Sequence, residues 1–101
     1  MDKSVKMSML LDLYGNLLTD TQKDTTSLYY DQNLSLSEIA EELAITRQGV
    51  RKNLNLAEEK LLDLEEKLGF LEQKLHFNKE IEEVIGSLSD KFLIEKLQKL
   101  L

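Results

Sequence analysis

The stretch SLSEIAEELAITRQGVRKNL, residues 35–54, carries two helix starts with a short turn between them. Ser35 can cap a helix, and Glu38, three residues on, completes a capping box in which each side chain bonds the other residue's free backbone N–H. Ile39, Ala40 and Leu43 then recur at helical spacing, which makes an apolar stripe about two turns long. The stripe stops at Ala44-Ile45. Thr46 supplies a second cap, and from Arg47 the pattern resumes with Val50 and Leu54 on one face. Two helices joined by a three- or four-residue turn match a helix-turn-helix. Ala40 is then the small residue where the helices cross, and Ile45 the turn residue that plugs the core.

In such a motif the first residues of the second helix face the major groove. Here they are Arg47, Gln48, Arg51 and Lys52, followed by Asn53 and Asn55. Arg and Lys read guanine or pair with phosphate, and Gln and Asn read adenine. The chain has two arginines, and both fall in this window. The competing reading is a purely structural helical hairpin with a polar outer face. Two residues favour it: Ala44 sits where a residue tolerant of positive φ is preferred, and Gly49 inside the second helix costs about 1 kcal/mol relative to Ala.

With 101 residues, no proline, four glycines and abundant leucine and charge, the composition points to one all-helical chain with a modest core. No apolar run approaches the roughly 20 residues needed to span a membrane, so no membrane insertion is expected. The N-terminal MDKSVKMSMLLDLYGNLL contains Asp12 and no small-residue cleavage site, unlike a signal peptide. Cysteine is absent, which excludes disulfides and thiolate metal sites and fits a reducing cytoplasm. The net charge of −6 opposes phosphate binding. Residues 1–56 carry six basic and eight acidic side chains, and 57–101 carry seven and eleven. Basic charge concentrates only at 47–52, so binding there is expected to be local, and weak unless a dimer doubles it.

Along the chain, Met7, Leu10, Leu11, Tyr14, Leu17 and Leu18 predict a first helix over 3–18. Thr19 and Gln22 make another capping box, opening a helix to about Tyr30 that Leu28, Tyr29 and Tyr30 anchor. Asp31-Gln32-Asn33 reads as a loop, a third helix covers 36–43, and a fourth begins at 47. From Leu54, apolar residues fall at Ala57, Leu61, Leu64, Leu68, Leu71 and Leu75, alternating three and four, which is a coiled-coil seam. Glu58, Glu65 and Glu72 flank one side and Lys60, Lys67 and Lys74 the other. In a parallel pair these alternate favourably, so Leu54, Leu61, Leu64, Leu68, Leu71 and Leu75 are expected to form a homodimer seam. The same stripe could instead pack on the chain's own C-terminal helices. Phe77, Ile81, Val84, Ile85 and Leu88 suggest a fifth helix, Gly86-Ser87 a break, and Leu93, Ile94, Leu97, Leu100 and Leu101 a sixth. The organisation expected is a helix-turn-helix domain over 1–56 and a long-helix extension with a dimerising C-terminal region over 57–101.

Catalysis is not expected. His76 is the single histidine, so neither a metal cluster nor a triad can be assembled around it. The glycines are isolated and form no phosphate loop. No cofactor and no metal are expected.

One resemblance carries further. LLTDTQ at 17–22, LYY at 28–30, SLSEIAEEL at 35–43 and TRQGV at 46–50, in that order and spacing, resemble the YlxM family of small bacterial proteins. Its helix-turn-helix looks like region 4 of sigma factors, and the match spans roughly residues 5–75. The resemblance implies an all-α cytoplasmic protein with a nucleic-acid-binding motif. It also implies a role beside the signal recognition particle, because genes of this family neighbour those of the particle's GTPases. Carried across, the reader positions are Arg47, Gln48 and Arg51. The chain departs from the family at Gly49, where alanine is usual, and at Arg51-Lys52, where a tyrosine-aspartate pair is usual. The reading is therefore an all-α, sigma region 4-like helix-turn-helix bundle that is a non-enzymatic regulatory dimer. Duplex DNA is its first expected target and the particle's RNA the second. The alternative is a protein adaptor whose acidic C-terminal helices bind a basic GTPase domain of the particle.

Overall fold

Five of the six α-helices begin where the sequence offers a side-chain oxygen to the first free N–H groups, as the unsatisfied start of a helix requires. The computed structural model describes all residues, 1–101. Asp2 accepts from Val5 N at 3.0 Å and starts α1, Lys3–Tyr14. A 3-10 turn over Gly15–Leu17 ends it four residues sooner than the stripe predicted. Thr19 and Gln22 form the capping box of α2, Asp20–Tyr30. Ser35 and Glu38 form that of α3, Leu36–Leu43, with bonds of 3.1 and 3.0 Å. Thr46 Oγ1 accepts from Gly49 N at 2.9 Å at the start of α4, Arg47–Leu68. The remaining helices are α5, Phe70–Ser87, and α6, Lys91–Gln98, whose cap is Asp90. There are no strands.

The chain divides into two compact units, Met1–Leu68 and Gly69–Leu101. The first holds nearly all the buried apolar side chains. Met7, Leu10, Leu11 and Tyr14 of α1 are buried, as are Val50, Leu54, Ala57 and Leu61 of α4. Around Ile39, Val50 and Leu54 gather Leu28, Tyr29, Tyr30, Ala40 and Ile45, so the turn residue does plug the core. Tyr29 and Tyr30 meet edge to face, with centroids 4.9 Å apart.

Helix α2 holds a feature that its polar sequence conceals. Thr25 and Thr26 are fully buried, and their hydroxyls donate to the carbonyls of Thr21 and Gln22, both at 2.6 Å. Satisfied on their own helix, they enter the core without a desolvated hydroxyl.

The second unit is an α5–α6 hairpin. Leu71 is the single buried residue of its two helices. Gly86-Ser87 does not break α5, which runs through Ser87 and stops at Leu88. The predicted division at 56/57 falls inside α4.

The seam expected over 54–75 is not one helix. The chain leaves helical geometry at Gly69, with φ +66°, and the heptad pattern passes unaltered through that break. Upstream of it, Leu54 and Leu61 are already buried within one chain. Leu64 is half-buried and Leu68 exposed. Leu71 and Leu75 belong to the second unit, Leu71 buried and Leu75 exposed. Leu54 and Leu61 are thus taken up by the core of their own unit.

Candidate nucleic-acid interface

The turn between α3 and α4 fixes the direction in which α4 starts. Ala44 adopts the left-handed conformation, φ 54° and ψ 43°. Its N–H reaches Glu41 O at 3.3 Å, and Ile45 N–H reaches Ala40 O at 3.1 Å. This is the Schellman arrangement, with alanine at the position glycine usually takes. Ile45 and Ala40, the two residues it joins, both pack on the Ile39–Val50–Leu54 cluster. A left-handed alanine costs about 1 kcal/mol, and the burial of Ile45 holds it in place. Gly49 has its own reason: a Cβ there would lie 3.2 Å from the capping Thr46 Oγ1 and 3.8 Å from Ile45 Cδ1.

With Val50 and Leu54 turned into the core, the rest of the first α4 turns is assigned. Gln48, Arg51, Lys52 and Asn55 follow one another at i, i+3, i+4 and i+7, so they share the outward face, and all four are exposed. Arg47 is exposed one helical turn before Arg51. Asn53 is half-buried, because it stands between the core positions Val50 and Leu54. Asn55, by contrast, is fully on the open face.

The local charge is wholly positive. No carboxylate occurs between Glu42 and Glu58, and the first turn of α4 contains no acidic residue. The exposed N–H groups of a helix start add their own positive potential. The next carboxylate, Glu58, is engaged inside the unit: it accepts from the Tyr30 hydroxyl, and Lys3 Nζ lies 3.4 Å from it. Burial, and then the bond to Glu58, push the Tyr30 phenol well above its ordinary value, with Arg51 acting in the opposite sense. Tyr30 thus stands as a neutral donor between Arg51 and Glu58. No local pattern in the sequence links Tyr30 to a residue 28 positions away.

The counterweight lies on α3, whose exposed side carries Glu38, Glu41 and Glu42. Away from the basic face, an open groove of about 760 Å³ is lined by Gln22, Leu56, Glu59, Lys60, Asp63 and Glu66 among others. Its carboxylates suit it poorly to phosphate. No trio of histidine or carboxylate side chains is gathered to hold a metal ion, and no helix is long and apolar enough to cross a membrane.

The profile of the family described as "Putative helix-turn-helix protein, YlxM / p13 like" matches residues 1–100. The chain belongs to this family. A member from Bacillus subtilis (strain 168), YlxM, is 43% identical across 99% of this chain and 97% of its own length. One from Lactococcus lactis subsp. cremoris (strain MG1363) is 40% identical over 100 residues, 98% of this chain and 90% of its own. One from Desulforamulus reducens is 45% identical over 83 residues, 82% of this chain and 71% of its own. Family membership covers the whole chain, including the last 25 residues, which the motif resemblance left unmatched. The family is described by its helix-turn-helix, and α3–turn–α4 is the helix-turn-helix of this member.

Proposed function

We propose that this protein binds nucleic acid through the N-terminal face of α4 and acts as a regulator in the cytoplasm, in association with the signal recognition particle. One observation carries the binding: the only carboxylate-free stretch rich in cations coincides with the outward face of the second helix of a helix-turn-helix. Arg47, Arg51 and Lys52 pair with phosphates. Gln48, with Asn55 beside it, reaches base edges, and Asn53 lies at the margin of the contact. Duplex DNA is the favoured target, since an exposed recognition helix fits a major groove. The link to the particle and its proteins rests on the family resemblance.

Fluorescence anisotropy with labelled particle RNA and with random duplex DNA, at two salt concentrations, tests this. Three phosphate contacts predict a slope of log K against log salt of about −2 to −3. Arg47→Ala/Arg51→Ala should flatten that slope to about −1 and weaken binding at least tenfold at low salt. Tighter binding to duplex DNA supports a groove reader, and tighter binding to the RNA moves the target to that molecule. Absence of binding to either would sink the proposal and leave a protein adaptor.

A further inference from the structure

The α5–α6 hairpin has more apolar surface than it uses. Its two helices bury only Leu71. Phe77 is 47% exposed, Phe92 70% and Leu100 57%. Val84 and Leu93 are also exposed. Phe77 and Val84 stand seven residues apart on α5 and make a stripe along one side of it, while Phe92 and Leu93 lie on α6 and Leu100 just past its end. Inside the hairpin, Ile81, Ile85, Ile94 and Leu97 are half-buried. The five exposed side chains remain open. Taking a bare phenylalanine as roughly 200 Å², these five side chains expose roughly 450 Å² of apolar surface. That is about the apolar share of the roughly 800 Å² that each partner gives to a stable interface.

Charge identifies what covers it. The second unit carries five basic and six acidic side chains, a net −1, against eight and thirteen, a net −5, over residues 1–68. A second copy of the hairpin is therefore hardly repelled. The two helices are also unlike. Beside the Phe77–Val84 stripe stand Glu80 and Glu83, whereas Lys96 stands one turn beyond Leu93 on α6, its ammonium 6.0 Å from the Phe92 ring centre. An α5–α5 contact would set carboxylates against each other. Placing α5 of one copy along α6 of the other sets Glu80 and Glu83 against Lys96, twice over in a twofold pair. We infer that a second copy of this chain docks on the hairpin, α5 against α6 in both directions, to form a four-helix bundle.

Sedimentation equilibrium on the full chain at micromolar concentration gives the test. The wild type should be a dimer, and Phe77→Glu or Leu93→Glu should raise the dissociation constant at least tenfold, with helicity by circular dichroism unchanged. Glu80→Lys and Lys96→Glu should each weaken the dimer, and the double exchange should restore it, which a folding defect would not do. A wild-type chain that stays monomeric to high micromolar concentration would overturn the inference. So would a dimer indifferent to Phe77 and Leu93, or a double exchange no better than the single ones.

Discussion

Ala44 is a residue in an unfavourable conformation at the turn position where a positive φ closes the Schellman arrangement. Its left-handed φ of 54° is tolerated because both residues it joins, Ala40 and Ile45, are packed on the core. Ala44→Gly should therefore stabilise the protein by about 0.5–1 kcal/mol, a rise of roughly 3–6 °C in thermal midpoint, read by circular dichroism. Tyr30 makes the opposite case. Tyr30→Phe removes a donor from the Glu58 carboxylate and should cost about 1–2 kcal/mol in chemical denaturation. Since Glu58 is only partly exposed and is then left to Lys3, the variant should also bring a freer negative charge to the edge of the basic face and weaken binding to nucleic acid. In the wild type, the raised phenol value means the contribution of Tyr30 is complete below pH 10 and is lost as pH climbs through the higher folded value.

Helices α2 and α3 were legible because capping is local chemistry. Thr19–Gln22 and Ser35–Glu38 each close a box within four residues, and both boxes form. The end of α4 was not legible. The leucine pattern runs on from Leu68 to Leu71 and Leu75, and the break is a change in the sign of φ at Gly69, which a count of apolar spacings does not register. For the site, the sequence yields the cations directly. The half-burial of Asn53 does not follow from residue type, although Val50 and Leu54 already mark the face that Asn53 borders. The capping box of α3 has a pH signature. Bonds from the backbone and hydroxyl of Ser35 hold the Glu38 carboxyl below its ordinary 4.5. Its contribution is present above pH 4.5 and fades as pH falls through the lower folded value. Protection of the Ser35 and Glu38 amides against exchange, taken relative to the intrinsic rate, should fall over that acidic range, and Glu38→Gln should remove that change in protection while keeping the helix.

Taken whole, the molecule is an acidic protein with one basic face, and that contrast shapes how it meets a polyanion. Glu41 and Glu42 are exposed on the helix next to the binding face, close enough to act within a Debye length at moderate salt. Glu41→Gln/Glu42→Gln should tighten nucleic-acid binding about twofold to fivefold at low salt, with the gain vanishing at high salt; anisotropy titrations measure both. The distribution of tyrosine provides a built-in optical label. The chain has no tryptophan, and its tyrosines, 14, 29 and 30, all lie in the first unit. Two of them donate to carboxylates, Tyr14 to Glu65 at 2.8 Å and Tyr30 to Glu58, and a phenol bonded to a carboxylate emits weakly because its excited state hands over the proton. Ultraviolet emission from the unmodified protein should thus brighten when residues 1–68 unfold and stay silent about the hairpin, whereas helicity reports both, so the two signals followed together show whether the halves melt as one.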